Sequence, residues 1–384
     1  MRARLRRLLV ATFGLLSLTG VPYLVYLALL RVVDTSGSPA RKSPDEPTVS
    51  IVLPTYNEAS IIEAKLEDIL ALDYPMEKVE VVVADASDDD TPAVVRDFFA
   101  GRDAPELTLL HDDERRGVAP ALNEAFAAAS NELVFRTDAD SKLAPDVLRQ
   151  AAGNLSDPTI GAVTGQQSEV LGDSEVESDY RGILTKIQGL ESHLDSTFIF
   201  HGPCFAFRAE DFVPIAPDSL ADDTELALRI RRAGKRVVMD PAMAFTESGV
   251  SKFSKRRQRK DRRAMGLLKL LVQNRDMLGR YGFYGTVVLP FNWWFMVVSP
   301  WLLAATVVLA TASGVLLAGP LGLAVPGAVA AFAWAGQSER LGPLQPLYAV
   351  FDSQVSLLVA AVELLRDEGD GTWELDRESR EYFE

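Results

Sequence analysis

The sequence predicts an α/β domain, a parallel sheet covered by helices, held between uncharged membrane-spanning helices, one N-terminal and about three C-terminal. Three observations predict it. Short β-branched runs alternate with amphipathic helical patterns from about Pro47 to Met277, which implies βαβ units. The long uncharged apolar stretches sit at the two ends, residues 8–30 and 285–365. The 384 residues are 48% hydrophobic despite a net charge of −15, so the chain is not an acidic disordered one. That acidity also argues against a general nucleic-acid binder, which needs a basic face for phosphates. One cysteine and three histidines exclude a disulfide framework and a Cys/His zinc site.

Residues 1–34 begin with the basic MRARLRR and continue into a 23-residue uncharged run, enough to cross ~30 Å of hydrocarbon. The run is long for a signal peptide and no small-residue cleavage site follows, so it reads as a retained span. Residues 35–48, rich in Ser, Pro and Gly, read as a linker. At the other end, residues 285–366 divide into spans at about 291–313, 314–336 and 344–365. Trp293, Trp294 and Trp301 suit an interfacial belt, whereas Asp352 and Gln354 need neighbouring helices or a polar groove. Residues 367–384 form an acidic tail of charge −6. Residues 251–263, SKFSKRRQRKDRR, carry eight basic residues and one acid, and head a basic interfacial stretch, 251–284. By the positive-inside rule they place the polar domain in the cytoplasm of a multi-pass cell-membrane protein. The arginines at the N-terminus favour the opposite side for that end; the larger cluster takes precedence, which puts the N-terminus outside.

Within the polar domain, residues 49–250, the runs at 50–54, 79–84, 107–111, 132–137 and 160–164 are the expected parallel strands. The helices between them are expected at 58–70, 91–99, 120–129 and 145–155. Ligands of such sheets bind beyond the carboxyl ends of the strands. There stand Pro54-Thr55-Tyr56-Asn57-Glu58, then Asp85 with Ser87 and Asp89, then Arg115-Arg116-Gly117, then Asp138-Ala139-Asp140. Alternate residues of an extended segment face the same way, so Asp138 and Asp140 can share a hard divalent cation. Asp222 and Asp223 open a helix, where capping and dipole effects explain both as readily as chemistry does. Arginines of the basic run, Arg259 and Arg262 among them, are placed to pair with a diphosphate leaving group or with anionic lipid.

Taken in order, these segments resemble the inverting family 2 glycosyltransferases, from about Val49 to Gly266. PTYNEA is similar to the family's P-x-Y-N-E segment and DASDDDT to its nucleotide loop; RRGVAPALN, TDADS, GPCFAFR and ADDTELALRIRRAG follow in the family's order. The resemblance implies a GT-A fold, a Rossmann-like mixed sheet that binds a nucleotide-diphospho-sugar. It implies donor-binding roles for Pro54, Tyr56, Glu58, Asp85, Arg116, Asp138, Arg259 and Arg262. It implies Mg²⁺ or Mn²⁺ on Asp138 and Asp140, Asp223 as catalytic base, and Gly202 and Asp222 on the acceptor side. Two departures stand out. Ala84 precedes Asp85 where the family often has a second Asp, and Arg259 and Arg263 occupy the Gln and Trp positions of the Q-x-x-R-W of processive members.

The expectation is therefore a membrane-bound inverting hexosyltransferase with a lipid or lipid-linked acceptor, such as polyprenyl or dolichyl phosphate, and no nucleic-acid partner. A processive polysaccharide synthase is the alternative, and a non-catalytic scaffold the rival from another class. The acidic balance, with arginine outnumbering lysine, suits a high-salt cytoplasm of the haloarchaeal kind.

Overall fold

The computed structural model describes residues 2–171, 175–248 and 253–366. The acidic tail and the first two residues of the basic run lie outside the described residues. In chain order the elements are α1 (Arg2–Val32), β1 (Val49–Thr55), α2 (Ile62–Leu70), β2 (Val79–Asp85), α3 (Thr91–Phe99), β3 (Glu106–His111), α4 (Val118–Ala128), β4 (Leu133–Arg136), β5 (Ser141–Leu143), α5 (Val147–Leu155), β6 (Ile160–Leu171) and α6 (Glu175–Leu194). They continue as β7 (Phe205–Arg208), α7 (Asp222–Arg232), β8 (Arg236–Ser248), α8 (Phe253–Gln273), α9 (Leu289–Trp293), α10 (Ser299–Ala318), α11 (Ala324–Gln337) and α12 (Gln345–Arg366). π-Helical turns flank α9 at Tyr284–Val288 and Trp294–Val298.

Among the described residues one sheet runs β3-β2-β1-β4-β7-β6-β8-β5. The four strands from β3 to β4 are parallel, as expected. The fifth expected strand, β6, does not pair with them. β7 inserts between β4 and β6, antiparallel to both, so the sheet is mixed. Strand alternation builds the two faces. Ile51, Leu53, Val81, Val83 and Phe135 pack under α2, α3 and α5. Val52, Val82 and Val134 pack under α4 and α7. Residues 35–48 run beside α5, where the Arg41 and Ser43 N–H groups donate to Asp157 Oδ2 and Ser156 Oγ and Glu46 pairs with Arg149 and Lys78.

Among the described residues, three segments are long and apolar enough to cross a membrane: Arg4–Val32, Tyr284–Gln337 and Gly342–Arg366. The middle one folds back on itself, and the break falls at Gly319 rather than between 313 and 314. Gly319-Pro320 stops α10, and the returning Gly322 presses against Gly314 and Val315. Tyr26 of α1 stacks on Phe291 of α9 with ring centroids 3.4 Å apart. Trp293, expected in an interfacial belt, is half-buried and donates its indole N–H to the Leu271 carbonyl at 3.2 Å. Asp352 finds the polar neighbours it requires in α8, where Arg257 and Lys260 lie 3.1 and 3.0 Å away.

Candidate functional site

The carboxyl ends of β1, β2 and β4 open on one edge of the sheet, and the sequence-selected residues gather there. β4 ends in Arg136, and the turn to β5 carries Asp138 and Asp140. Lys65 braces this turn from below: its buried Nζ donates to the Ser141 carbonyl at 2.7 Å. Arg136 is buried beneath the same turn and bridges two sets of carboxylates. Its guanidinium donates to Asp138 Oδ1 at 3.1 Å and to Asp222 Oδ2 at 2.5 Å. It lies so close to Gly202 that a Cβ there would stand 2.9 Å from Arg136 Nη1, so glycine at this position is what leaves room for the bridge. Gly202, selected for the acceptor side, thus has a direct structural task.

Asp222 and Asp223 begin α7, whose N-terminal dipole favours negative charge. Burial and the like charge of Asp222 push the Asp223 carboxyl up to about 6, against the pull of Arg263 and Arg136. The Thr224 N–H donates to Asp223 Oδ1 at 2.5 Å, which fixes the carboxylate at the helix start. Burial also raises Asp138, reinforced by Asp140 and Asp222, although Arg136 opposes the shift.

α8 crosses in front of these groups. Gly266 permits it: a Cβ there would meet the Leu220 carbonyl at 2.9 Å, so α8 packs directly on the chain entering α7. The approach brings Arg259 to 3.8 Å from Asp140. Arg262 is held by Asp222 and Asp223 against a desolvation that lowers its proton affinity. Arg263 points an Nη2 at His201 Nδ1, 3.3 Å away. Burial and the nearby arginines pull His201 down to about 3, so the ring is neutral. Its Nδ1 accepts from Arg263 while Nε2–H faces Gln188 Oε1 at 3.1 Å.

The donor-side residues divide. Pro54 and Tyr56 line the end of β1, and the Arg115 guanidinium lies 4.1 Å from the Tyr56 ring centroid. Glu58 is buried at the start of the next turn, and its N–H donates to Thr91 Oγ1 at 2.9 Å. The Asp85 carboxylate is buried at the end of β2, where it accepts from Thr55 Oγ1 at 2.7 Å and Ser87 Oγ at 2.5 Å and meets His111 Nδ1 at 2.7 Å. Arg116 pairs with Asp112 and, through both terminal nitrogens, with Glu124 at 2.9 and 3.0 Å. It is therefore Arg115, not Arg116, that the structure lays over Tyr56.

A cavity of ≈ 170 Å³ runs between α6, α8 and α12 and shares Arg259 with the Asp140 side of the site. Arg259, Arg263, His201 and Glu247 line one part of it, and Leu267, Phe295 and Leu357 another. Sequence reading missed Arg136 as a site residue, and Glu247 with it. Arg136 had a signal, a cation at the buried end of a strand just before Asp138. Glu247 did not, because the register of β8 against β6 jumps around Pro241, which hides the strand pattern leading to it.

Among the described residues no three metal-ligating side chains converge. Asp138 and Asp140 still fit a hard cation of the kind held by one or two carboxylates, with substrate phosphate oxygens and waters filling the remaining positions.

The fold and site define a nucleotide-sugar transferase of the GT-A type, and the comparisons with known proteins agree. The family model "Glycosyl transferase family 2" matches residues 50–213, and "Glycosyl transferase family group 2" matches residues 133–335, more than half of the chain. The chain belongs to the family 2 glycosyltransferases. It is similar to an N-acetylglucosaminyltransferase of Rhizobium meliloti (strain 1021), with 28% identity over 213 residues, covering 51% of this chain and 50% of that protein. It is also similar to the poly-beta-1,6-N-acetyl-D-glucosamine synthase of Staphylococcus epidermidis, with 32% identity over 150 residues, 38% of this chain and 35% of that one. The chain thus spans about half or less of the length of these curated relatives. Among solved structures, the mannosyltransferase PcManGT from Pyrobaculum calidifontis, in complex with GDP-Man and Mn²⁺, superposes with a TM-score of 0.79 at 30% identity, covering 94% of this chain and 100% of that one.

Proposed function

We propose that this protein is a membrane-bound inverting glycosyltransferase that moves a sugar from a nucleotide-diphospho-sugar to a membrane-borne acceptor. The observation that carries the reading is the meeting of three groups at one sheet edge: Asp138 and Asp140 from the β4–β5 turn, Asp222 and Asp223 from α7, and Arg259, Arg262 and Arg263 from α8. Asp85 and the β1 end, with Tyr56, form the nucleotide side. The Mg²⁺ or Mn²⁺ that Asp138 and Asp140 would hold supplies counter-charge for the departing diphosphate. Arg259 and Arg262 add fixed positive charge on the same side. Asp223 takes the proton of the acceptor as it attacks the anomeric carbon from the opposite face. A base whose proton affinity is raised toward neutrality suits that task.

The polar domain faces the cytoplasm in this reading, with the spans at both ends placing the cleft at the membrane surface. Arg257 and Lys260 sit against Asp352 of a candidate span, and cations beside a span are of the kind that pair with anionic lipid headgroups. The net charge of −15 is read as an adaptation to high salt. GDP-mannose and nucleotide-linked N-acetylglucosamine are the first donors to test, given the names of the similar proteins. Mn²⁺-dependent release of nucleotide across a donor panel is the measurement. Failure of every donor, with and without membranes, refutes the proposal.

A further inference from the structure

The cavity between α6, α8 and α12 is not uniformly cationic. Arg181, Arg259, Lys260 and Arg263 line it, but so do Glu247, Gln167 and Gln188, with the neutral His201 between them. Glu247 stands at the end of β8, directly across from Ser141 in the β5–β8 register and so beside Asp140. Gln167 Nε2–H donates to Glu247 Oε2 at 2.5 Å. Burial, with Asp140 and Asp138 nearby, pushes Glu247 up to about 7, and Arg259 and Arg263 oppose that shift. Glu247 and Gln167 thus set a carboxylate and an amide into a wall that is otherwise cationic. It suits hydroxyl groups, which donate to a carboxylate and an amide oxygen and accept from an amide N–H. Lys260, tied to Asp352 on α12, marks the membrane side of the same cavity, where the apolar Phe295, Met296 and Leu357 also line it. The cavity, ≈ 170 Å³, is on the scale of one small ring.

We propose that this cavity is an acceptor subsite for a sugar already attached to an anionic lipid, with Glu247 and Gln167 as its specificity-determining pair. The inference rests on the glycosyl-transfer reading and narrows its acceptor from any membrane-borne group to a lipid-linked sugar. The sugar hydroxyl gives its proton to Asp223 and forms the new bond to the anomeric carbon. The bond from that carbon to the diphosphate breaks, and the nucleoside diphosphate leaves. Glu247 and Gln167 hold neighbouring hydroxyls of the ring, and the Arg181–Lys260 side takes the phosphate linkage to the lipid.

The test uses the full-length protein in detergent with Mn²⁺, an active donor and two synthetic acceptors: polyprenyl phosphate, and polyprenyl diphosphate carrying one hexose. The glycosylated lipid is expected to give a kcat/KM at least ~10-fold higher, the scale of lost hydrogen bonds to a charged group. Glu247→Gln and Gln167→Leu are each expected to raise KM for the glycosylated acceptor ~10-fold while shifting the donor KM far less. Equal or better use of polyprenyl phosphate by the unaltered protein overturns the inference. So does a loss in both variants that falls equally on the two acceptors, which marks a structural role. If neither acceptor nor water takes sugar from any donor, the glycosyl-transfer reading fails, and this inference with it.

Discussion

If Asp223 is the base, its ionisation controls turnover, and the structure gives the pH at which that control appears. Burial and Asp222 push its carboxyl from an ordinary 3.8 to about 6. At pH 5 a base of pKa 6 is ionised in only about one molecule in eleven, whereas one of pKa 3.8 is ionised in more than nine of ten. kcat/KM for transfer is therefore expected to fall about tenfold from pH 8 to pH 5, along a limb of unit slope. Stability loss is separated from this by recovering activity on return to pH 8. Asp223→Asn removes the limb together with ~10²–10⁴ of the rate, the range typical of a positioned base, while donor affinity stays close to that of the parent. Arg263→Gln removes one of the cations that lowers Asp223 and is expected to move the limb upward. The assay is nucleotide release coupled to a radiolabelled lipid product. A pH-independent rate between 5 and 8, or an Asp223→Asn variant of near-normal turnover, refutes the assignment.

Other outcomes follow from the same geometry. Gly202→Ala puts a methyl against the Arg136 guanidinium, loosening its bonds to Asp138 and Asp222, and is expected to lower kcat/KM by ~10-fold in steady-state assays. Asp138→Asn and Asp140→Asn are each expected to weaken Mn²⁺-dependent nucleotide binding in calorimetry, with metal-independent binding little changed. Glu191 is buried under α1 and α9, accepts from Asn292 Nδ2 at 2.7 Å, and is pushed by burial from 4.5 up to about 7. The folded state therefore holds a proton that the unfolded state loses, and stability falls as pH rises from 4.5 through 7, by at most about 1.4 kcal/mol per pH unit. Thermal melts of Glu191→Gln are expected to lack that decline. Activity and melting temperature are expected to rise from low to molar KCl, because the acidic surface repels itself until screened.

Much of the sheet around β1 and β2 was legible in the chain. β1 and β2 are runs of buried β-branched and aliphatic residues bounded by turns, and α3 begins and ends where its apolar spacing predicts, Thr91–Phe99. Asp138 was selected from its place after a buried strand, whereas Asp222 and Asp223 open a helix, where capping explained them equally well and only the family resemblance set them apart. What was not legible depended on pairing between distant segments. The insertion of β7 between β4 and β6 has no local sign, since β7 is buried on both faces and so reads as the same continuous apolar run as a parallel strand. Arg116 was selected from the resemblance of RRGVAPALN to a family motif; side-chain direction lays Arg115 over Tyr56 and turns Arg116 to Glu124, which no local pattern foretells.

The sequence alone determined a helix-covered α/β domain between apolar ends, the order of its carboxylate groups, and a basic stretch ahead of the C-terminal helices. Periodicity, charge and turn residues are local properties, and they are readable one segment at a time. The tertiary structure decided which of these groups face one another. It set α8 against α7 through Gly266, so that a basic stretch explicable by topology or lipid binding also faces Asp222 and Asp223. It laid Arg136 between Asp138 and Asp222, residues 84 positions apart, and paired Asp352 with Arg257 and Lys260. These arrangements depend on where burial leaves a charge beside its partner, and that is fixed only when the separate elements pack.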